Sequence, residues 1–562
     1  MKPGEKALVL LPTESNKLLM QWKGPYQIVR KVGNVDYMLD VNGTVKTYHA
    51  NLLKKYVERE EPEISFLMSI VNPEQIDNPE SDDDQEEYVG VSSSVESYAD
   101  VDINQDLDEV KIQTIKELFQ SFSDVFTEQP GHTHLIQHDI RLTTDKPVRV
   151  SPRHIPFAMV DTVNEEVNKM LDMGVIEMSD SPYSSPIVLV AKKDNTFRFC
   201  VDFRKLNSIT VFDAEPMPDV DAMFAKLSGH KFFSRLDLSK GYWQVPLTQS
   251  SCPLTAFQTP QGLFQFTKMP FGLVTAPATF CRLMREVLHN LANVENFIDD
   301  ILVYTETFEQ HVQVLYEVLM RLREANLTAR PTKCSVGYRK LECLGHIIGD
   351  DQVQPHPDKV SAIRSATRPE TKKQLRSFLG LVNFYRKFIP NFAHISLPLT
   401  DLTRKFAPNK LQWSESQEMA FKTLKSFITK SPILKLPDIS QTFILQTDAS
   451  QRGVGAVLLQ QEGEDKLPVA YASKKLKPSE ERYSTIEKEC LAIVWGIQKF
   501  HRYLYGREFL LETDHYPLVY INKTKLNNSR LMRWAMSLQP YRFRIIAIKG
   551  KDNVGADYLS RQ

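Results

Sequence analysis

Acidic side chains inside apolar, strand-like runs are the residues of this sequence best suited to chemistry. Asp299 and Asp300 interrupt the apolar run that extends from Asn296 to Tyr304, and Asp237 stands between two leucines at the end of another such run. Because carboxylates are costly to bury without partners, these residues must lie at a turn or hold a cation. The pattern predicts a hairpin with the aspartate pair at its tip. A turn without a metal is the ordinary alternative, since Asp is common in turns for other reasons.

The C-terminal part of the chain contains a second set of acidic residues. Asp448 ends a predicted strand, which is followed by a turn and a Gly-rich returning strand. Asp514 ends a further strand, and Asp557 lies in the segment KGKDNVGADYLSR close to the C-terminal end. Each of these residues alone could be an ordinary surface acid or a helix cap.

A helix between these strands supplies a fourth acid. Ser484 and Glu487 form a capping box that predicts where this helix begins. Its predicted core-facing stripe consists of Ile486, Cys490, Ile493 and Ile497. Glu489 borders that stripe, so it can point into a cleft beside the sheet.

A predicted hairpin upstream of Asp237 brings basic side chains to its tip. Ile187 to Ala191 would be the first strand and Thr196 to Arg204 the second, so Lys192 and Arg198 lie where they could grip a triphosphate. An ion pair between Arg198 and Asp202, which share a face of the strand, is an equally open alternative.

An aromatic residue and a basic helix complete the candidate features. Tyr242 follows a glycine five residues after Asp237, and it is either a site residue or a core aromatic beside Trp243. A capping box of Thr371 and Gln374 opens an amphipathic helix. Its apolar stripe is Leu375, Phe378, Leu379 and Val382, and its basic surface is Lys372, Lys373, Arg376, Arg386 and Lys387. That surface is either simply solvated or a contact for nucleic acid.

Composition and charge narrow the class of protein. The 562 residues suffice for several domains, no apolar run reaches the length of a membrane span, and the N-terminus lacks a secretory signal. Six scattered cysteines without a CxxC pair argue against a zinc site and indicate a reducing compartment. Residues 58–110 hold 18 of the 70 acidic residues and one of the 69 basic ones, so the rest of the chain has a net charge of +16. A disordered acidic linker between basic domains is predicted, and basic domains suit a polyanion such as nucleic acid.

Taken in order, the motifs FRFCVDFRKLN, LDLSKGYWQVPL, MPFGLVTAPATF, FIDDILVY and CLGHII resemble the reverse transcriptase of Gypsy-type LTR retrotransposons. The resemblance runs from about Lys111 to the C-terminal end, through KKQLRSFLGLVNFYRKFIPNFA into a ribonuclease H. Near the N-terminus, GPY at Gly24 to Tyr26 and YHANLLKKY at Tyr48 to Tyr56 resemble the SH3-like GPY/F module of retrotransposon integrases. A basic adaptor barrel that binds protein is the alternative there. In most such elements the integrase follows the ribonuclease H, so a module placed before the polymerase is a departure.

The resemblance implies a multidomain protein of mixed α/β and α+β architecture. A small SH3-like β-barrel comes first, a right-hand polymerase of fingers, palm and thumb with a ferredoxin-like palm follows, and a ribonuclease H-like mixed α/β domain comes last. The implied ranges are 1–57 for the GPY/F module, 58–110 for the acidic linker, 111–173 for a pre-finger segment, 174–348 for fingers and palm, 349–435 for thumb and connection, and 436–562 for the ribonuclease H-like domain.

The resemblance also implies two sets of catalytic acids, each holding two Mg²⁺ ions. The polymerase acids would be Asp237, Asp299 and Asp300, with the backbone carbonyl of Leu238 as a further metal ligand. The ribonuclease H acids would be Asp448, Glu489, Asp514 and Asp557. Mg²⁺ prefers hard carboxylate oxygens and keeps several waters, so a few acids suffice for each site.

Further residues match positions that contact substrates in the family. These residues are Lys192, Arg198, Tyr242, Phe271, Gly272, Leu344 and Gly345. Lys192 and Arg198 would grip the triphosphate, and Tyr242 would be the steric gate that rejects a 2′-hydroxyl. The Phe271–Gly272 pair would shape the template-base side, and the Leu344–Gly345 pair would fall in the primer-grip strand. The family often has Asn at Thr275 and Gln at Cys281, so an altered efficiency is expected from these two departures.

The implied activity is RNA-directed and DNA-directed DNA synthesis with ribonuclease H cleavage. The expected partners are an RNA template, a DNA primer, an RNA–DNA hybrid and dNTPs, with no membrane, and the expected location is intracellular, in cytoplasmic particles, the nucleus or both. A catalytically silent nucleic-acid-binding protein derived from such an element is the alternative, and the intact acids favour the enzyme. An RNA polymerase of related palm fold is disfavoured by Tyr242 and by the attached ribonuclease H. The oligomeric state is left open.

Overall fold

The computed structural model describes residues 6–12, 20–32, 36–41, 44–49, 53–55, 96–191, 197–430, 432–514 and 529–548. The chain divides into two compact units, Met1–Tyr88 and Val89–Gln562. Two predicted site residues, Lys192 and Asp557, lie outside the described residues, as does the greater part of the predicted linker, 58–95.

The first unit contains an antiparallel sheet of five strands in the order β4-β3-β2-β1-β5. The strands are β1 (Lys6–Pro12), β2 (Met20–Val32), β3 (Asp36–Val41), β4 (Thr44–His49) and β5 (Leu53–Lys55). Ile28, Tyr37, Leu39 and Leu53 form its small core. This antiparallel order agrees with the small β-barrel that the resemblance implies. The integrase-type assignment of the module stays a prediction.

The second unit contains four sheets and the helices that cover them. Its strands are β6 (Asp102–Ile103), β7 (Ile176–Met178), β8 (Ser185–Ala191), β9 (Phe197–Val201), β10 (Phe232–Asp237), β11 (Phe257–Thr259), β12 (Gly262–Phe266), β13 (Val294–Phe297), β14 (Asp300–Thr305), β15 (Ser335–Tyr338), β16 (Lys340–Cys343), β17 (His346–Gly349), β18 (Gln352–Pro355), β19 (Leu434–Lys435), β20 (Phe443–Ala449), β21 (Gly453–Glu462), β22 (Asp465–Lys475), β23 (Glu508–Thr513) and β24 (Arg542–Ala547).

The α-helices of the second unit are numbered in the same way. They are α1 (Glu109–Ser121), α2 (Val160–Asp172), α3 (Arg204–Asn207), α4 (Val220–Phe224), α5 (Ala276–Val287), α6 (Phe308–Glu324), α7 (Pro357–Ser365), α8 (Lys372–Phe384), α9 (Phe392–Ile395), α10 (Leu397–Leu402), α11 (Glu415–Thr429), α12 (Thr485–Lys499), α13 (His501–Leu504) and α14 (Ser529–Leu538).

The sheet β13-β14-β10-β15-β6 corresponds to the predicted palm. Successive residues of β14 enter different cores: Ile301 and Val303 pack into one, with α5 and α6, while Leu302 and Tyr304 pack into the other. Because side chains of a strand alternate between the two faces of its sheet, a strand covered on both faces needs a continuous apolar sequence. This explains why the run around Asp299 and Asp300 is apolar without interruption by other polar residues.

Two further sheets flank the palm. The predicted fingers form the sheet β7-β12-β11-β8-β9, in which β11 and β12 make a hairpin. The connection sheet, β16-β17-β18-β19, crosses the predicted boundary between fingers and palm, 174–348, and thumb and connection, 349–435, and it shares its core with α7, α8 and α11. Strand β9 ends at Val201, short of the predicted Arg204, because the chain turns there into α3.

Helix α8 confirms the capping box of Thr371 and Gln374, and its buried stripe contains Leu375, Phe378 and Val382 as predicted. The predicted basic surface needs one correction. Lys372 is buried and its Nζ donates a hydrogen bond to the backbone oxygen of Arg404 at 2.9 Å. Lys372 therefore holds the loop that follows α10 and does not face solvent.

The C-terminal sheet has the order β22-β21-β20-β23-β24, antiparallel among the first three strands and parallel from β20 to β24. Helix α12 packs on it through Gly496, where an added Cβ would lie 3.1 Å from Thr447 Cγ2 and 3.2 Å from Ala456 Cβ. The capping box of Ser484 and Glu487 is present. The predicted stripe holds for three of its residues, but Ile486 is exposed, because it lies in the first turn, beyond the edge of the sheet contact.

The structure corrects the predicted extent of the acidic linker, 58–110. Residues 96–110 are ordered: β6 pairs in parallel with β15, and the Asn104 side chain donates to the backbone oxygen of Gly337 at 3.1 Å. Val101 and Ile103 are buried, and Glu96 forms an ion pair with Arg330 at 2.8 Å. The prediction used the net charge of the whole stretch, which is dominated by residues 58–95. It therefore overlooked the buried apolar residues and the specific polar contacts of residues 96–110.

Among the described helices, none combines the length and the apolar character that crossing a membrane would require.

Shortening Ile103 tests whether the corrected segment belongs to the folded unit. Ile103→Ala is expected to lower the free energy of unfolding by about 2–4 kcal/mol, because it leaves a cavity beneath the palm sheet. Urea unfolding followed by tryptophan fluorescence measures this change. Val110→Ala is the control, since Val110 is 76% exposed and its truncation should change stability by less than about 0.5 kcal/mol. Equal stability of both variants would contradict an ordered segment.

Candidate active sites

Strand register brings the three palm aspartates together. Asp237, the last residue of β10, is the cross-strand partner of Asp300, the first residue of β14. Directly opposed residues of an antiparallel pair share a face, with Cβ atoms about 5 Å apart. Asp299 lies in the two-residue turn that joins β13 to β14, and its backbone oxygen accepts from the Leu238 amide at 3.2 Å. The predicted hairpin is confirmed, although its tip is Ile298–Asp299 and Asp300 already belongs to the strand.

The turn has an unusual backbone conformation. Ile298 has a φ of 56° and is buried. A positive φ is rare for a β-branched residue and is tolerated only where the surroundings enforce it. Here the short connection between two paired strands enforces it, and the result is that Asp299 projects beside the end of β10.

Gly241 allows the next segment to approach the acids. A Cβ at this position would lie 3.1 Å from Phe280 Cζ and 3.3 Å from Asp299 Cβ. The 3₁₀ segment Gly241–Gln244 therefore packs against the aspartate turn, and it carries Tyr242 into the same region. The glycine before Tyr242, noted in the sequence, is required by this close approach.

The three carboxylates destabilise one another's charged forms. Burial is the main cause that raises the pKa of Asp237, Asp299 and Asp300, and repulsion among the acids raises it further for the last two. The pKa of Asp300 reaches about 6. Lys333 lies 3.5 Å from Asp237 and offsets part of this repulsion.

The donor set of the palm fits a divalent cation. Three carboxylates supply hard oxygen ligands, and a cation would offset the burial, and for Asp299 and Asp300 also the repulsion, that raises their pKa values. Within the described ranges, no group of three Asp, Glu, His or Cys side chains already stands in ligating geometry. The fit therefore rests on the chemistry and charge of the aspartates.

Tyr242 is enclosed by two phenylalanines. Its ring centroid lies 5.0 Å from that of Phe271 and 5.4 Å from that of Phe280. Phe271 is half exposed, so this pair borders the solvent side of the site. The alternative of a core aromatic beside Trp243 is thus partly right for Tyr242, since the ring is packed, but it is packed at the edge of the acids.

Asn207 is a residue that the sequence analysis missed. Its side-chain nitrogen donates to the backbone oxygen of Gly272 at 2.8 Å, and its side-chain oxygen accepts from the Val274 amide at 3.0 Å. Gly272 has a φ of 95°, which a residue with a Cβ rarely adopts. The amide of Asn207 therefore fixes the loop that presents Phe271. The FRKLN motif ends in this residue, but spacing alone gave no sign of the contact.

His138 is a second residue that no sequence motif indicated, and it contacts Thr275, where the family often has Asn. Its ring nitrogens bond the hydroxyls of Thr279 at 2.8 Å and Thr275 at 3.3 Å. Burial lowers the pKa of His138 to about 4, so the ring is neutral at working pH. Thr275 thus has a partner 137 residues away along the chain, which no local pattern could reveal.

Of the two residues predicted to grip the triphosphate, Lys192 and Arg198, only Arg198 lies among the described residues. Arg198 is exposed on β9, opposite Val190 of β8, and Lys192 lies outside the described residues. Asp202 accepts from Arg153 at 2.6 Å and from Arg204 at 2.7 Å.

Leu344 and Gly345 occupy a turn and not a strand, which corrects the prediction. They join β16 to β17, and both have positive φ, 48° and 73°. A two-residue turn with positive φ at both positions matches the right-handed twist of its strands.

The C-terminal acids gather at one end of the parallel strands. Asp448 and Glu489 are each about 95% buried, with exposures of 4% and 5%. Asp448 and Asp514 each lie two residues beyond the last paired residues, Gln446 and Glu512, at the carboxyl ends of two neighbouring parallel strands. Glu489 precedes Gly496 by two helical turns, on the helix face that contacts the sheet. The structure thus puts Asp448 and Asp514 at the same ends of neighbouring strands and Glu489 on the helix that packs on this sheet, and Asp557 lies outside the described residues.

Comparisons with known proteins match the two regions of the chain that carry the candidate acids. A family model for reverse transcriptase (RNA-dependent DNA polymerase) matches residues 190–348, and one for the RNase H-like domain found in reverse transcriptase matches residues 438–541. The retrovirus-related Pol polyproteins from transposons 297 and gypsy of Drosophila melanogaster are 39% identical over 460 residues and 34% identical over 511. Over its polymerase and ribonuclease H-like regions, the chain is similar to Gypsy-type retrotransposon Pol polyproteins. The predicted resemblance is therefore confirmed.

The chain matches only part of each Pol relative, and its fold is similar to that of a viral reverse transcriptase. The alignments cover 80% and 85% of the chain but 43% and 49% of the two Pol relatives, so the chain spans about half of their length. The foamy viral protease-reverse transcriptase in complex with an RNA/DNA hybrid is structurally similar, with a TM-score of 0.69 at 20% identity, over 98% of this chain and 72% of that one. This similarity confirms the predicted polymerase and ribonuclease H-like fold. The family matches enclose the palm aspartates and, among the C-terminal acids, Asp448, Glu489 and Asp514.

Asp300→Asn tests the repulsion among the palm acids. In the parent, burial and the charges of Asp299 and Asp237 raise the pKa of Asp300 to about 6, against the opposing effect of Arg235 and Lys333. The folded state therefore binds this proton more tightly than the unfolded state, and stability falls as pH rises from about 4 to about 6. In EDTA, the variant should be more stable than the parent at pH 8, by up to about 3 kcal/mol, and this gain should vanish near pH 4.

Urea unfolding at pH 8, 6 and 4 measures the gain. Asp401→Asn is the matched control, because that aspartate lies on the surface and pairs with Arg404 at 2.8 Å. It should show no gain at any pH. A stabilisation by Asp300→Asn that does not depend on pH would contradict charge repulsion as its cause.

Proposed function

We propose that this chain is an RNA-directed and DNA-directed DNA polymerase that also cleaves the RNA strand of RNA–DNA hybrids. The observation that supports the polymerase best is the register of β10 and β14, which opposes Asp237 to Asp300 and places Asp299 in the adjoining turn. The expected substrates are dNTPs, an RNA or DNA template and a DNA primer. The foamy viral structure that this chain resembles holds an RNA/DNA hybrid, which supports the same class of substrate.

In the proposed polymerase site, Asp237, Asp299 and Asp300 hold two Mg²⁺ ions with the backbone carbonyl of Leu238. When bound, Mg²⁺ lowers the pKa of the primer 3′-hydroxyl and neutralises the charge of the triphosphate and of the pyrophosphate leaving group. A bound cation would favour the ionised forms of the aspartates and offset the burial that raises their pKa values. Lys333 supplies a positive charge beside Asp237 from the protein itself.

Tyr242 is proposed as the residue that selects deoxyribose. Its ring is held between Phe271 and Phe280 and lies next to the aspartate turn through Gly241. A ring fixed in this way leaves no room for a 2′-hydroxyl on the sugar of an incoming nucleotide. Asn207 is proposed to support this selection indirectly, since it fixes the loop of Phe271 and Gly272, which we place on the template-base side.

The remaining substrate contacts are proposed from the resemblance. Lys192 and Arg198 grip the triphosphate from the tip of the β8–β9 hairpin, and Leu344 with Gly345 contacts the primer. The exposure of Arg198 on β9 is compatible with such a grip.

For the ribonuclease H site we propose Asp448, Glu489, Asp514 and Asp557 as holders of two Mg²⁺ ions. This assignment is supported by the position of Asp448 and Asp514 at the carboxyl ends of neighbouring parallel strands and by the packing of the Glu489 helix on the same sheet. In such a site, the acids position the metals and a water molecule against the RNA strand. We further propose an intracellular location, in cytoplasmic particles or the nucleus, where the six free thiols of the chain would stay reduced.

Asp299→Asn tests the polymerase site. On poly(rA)/oligo(dT) with Mg²⁺, the parent should incorporate dTTP, and the variant should be slower by at least about a thousandfold. The substitution removes a negatively charged metal ligand without a change of size, and so raises the activation free energy by about 4 kcal/mol. Asp401→Asn, the surface control, should match the parent. Absence of incorporation by the parent would favour the catalytically silent, nucleic-acid-binding alternative.

Asp448→Asn tests the second site independently. Release of labelled RNA fragments from an RNA–DNA hybrid should fall at least about a hundredfold, while DNA synthesis on the same template continues at the parental rate. Asp465→Asn is the matched control, because Asp465 is exposed at the start of β22 in the same sheet. Cleavage that survives in Asp448→Asn would exclude this residue as a metal ligand.

A further inference from the structure

The backbone oxygens of the Leu344–Gly345 turn accept hydrogen bonds from buried side chains that no sequence motif indicated. The Tyr385 hydroxyl donates to the backbone oxygen of Gly345 at 2.7 Å. His346 Nδ1 lies 3.0 Å from the backbone oxygen of Leu344. The His356 amide also reaches the Gly345 oxygen, at 3.2 Å. Both carbonyls of the turn are therefore bound by the protein, on the side away from solvent.

The two side chains that hold the turn are deeply buried. Tyr385 is 0% and His346 2% exposed. The imidazole lies among the rings of Phe224, Phe384, Tyr385 and Phe388, with centroids 5.3 to 5.7 Å away. Such packing leaves the two side chains little freedom to move independently of the core.

The hydrogen-bond direction at His346 follows from its surroundings. A carbonyl can only accept, so Nδ1 must carry the proton. Nε2 has no hydrogen-bond partner among the described residues, which suits an unprotonated nitrogen facing aromatic rings. Burial, and then the charge of Lys387, lower the pKa of His346 to about 3. The ring is thus a neutral, fixed donor at any working pH.

The same contacts join the turn to helix α8. Tyr385 is the C-cap residue of α8, and Phe384, the last residue of the helix, is 47% exposed. An added Cβ on Gly345 would lie 3.7 Å from Phe384 Cε1, so this exposed ring stands next to the turn. The end of the predicted thumb helix and the turn therefore present one continuous surface. Leu344, in a left-handed conformation that only Gly adopts readily, needs such support.

We propose that Tyr385 and His346 are positioning residues that hold the Leu344–Gly345 turn, and with it the end of the thumb helix, against the primer strand. This inference rests on the proposed function, in which that turn contacts the primer. Ordinary core residues would stabilise the fold without a specific effect on the primer. Positioning residues affect how long the primer–template stays bound and leave the chemical step unchanged.

Tyr385→Phe is the test, because it removes one hydroxyl and keeps the buried ring. With a fluorescent poly(rA)/oligo(dT) duplex as the probe, primer–template should dissociate about three to ten times faster, and its KM should rise by a similar factor, as expected for the loss of one hydrogen bond. The kcat at saturating primer–template should stay within about twofold of the parent, and the melting temperature should change little. The control is Tyr338→Phe, which loses a hydroxyl bonded to Asp102 at 2.7 Å, in the palm sheet.

A second pair of variants examines the imidazole. His346→Asn places an amide donor close to the position of Nδ1 and should restore more of the parental dissociation rate than His346→Leu, which has no donor. Equal dissociation from Tyr385→Phe, Tyr338→Phe and the parent would overturn the inference while leaving the proposed function intact. A parent that binds the duplex but extends no primer would overturn the proposed function, and the positioning role with it.

Discussion

The crowding of three partly buried carboxylates is the constraint on which this structure depends. Three aspartates meet at the end of β10 and the start of β14, in surroundings that raise the pKa of each. Left to itself, such a group would move apart or take up protons. The protein prevents the first outcome by fixing the backbone on either side, and the second would be prevented by a cation.

The scaffold around the palm is arranged to resist repulsion among these carboxylates. The sheet is covered on both faces by large apolar cores, and the turn at Ile298 has a backbone conformation that an isolated chain would avoid. Neutral histidines extend the rigidity outward: His311 bonds Ser234 at 2.6 Å and Thr305 at 3.0 Å beneath the same strands. Low pKa values keep His138 and His311 uncharged, so they add hydrogen bonds without adding charge.

The C-terminal sheet uses a similar arrangement and is attached by polar contacts. Its acids lie where two parallel strands end and a helix approaches closely at Gly496. Arg502 binds Asp219 with both of its terminal nitrogens, at 2.6 and 2.8 Å, and Lys435 binds Glu462 at 2.6 Å. The Ser473 hydroxyl accepts from the Ala393 amide at 2.9 Å. These contacts tie the ribonuclease H-like domain to α4, to α9 and to the end of the connection sheet.

The sequence alone determined the elements whose cause is local. Capping boxes at Thr371 and Ser484, the hairpin around the aspartate pair, and the ends of the strands at Asp237 and Asp448 all follow from residues within a few positions of one another. The family could likewise be recognised from motifs in order. The charge of residues 58–110 as a whole gave a wrong prediction for residues 96–110, which form β6 and specific contacts with the palm.

Only the tertiary structure decided which distant residues meet. The partners of Asn207, His138 and Tyr385 lie between 40 and 141 residues away along the chain, and Lys372 proved to be buried because a later loop crosses it. Leu344 and Gly345 belong to a turn because β16 and β17 pair directly. Hydrogen bonding and burial depend on distance in space, and distance in space between remote segments is set by packing of the cores, which local sequence patterns do not encode.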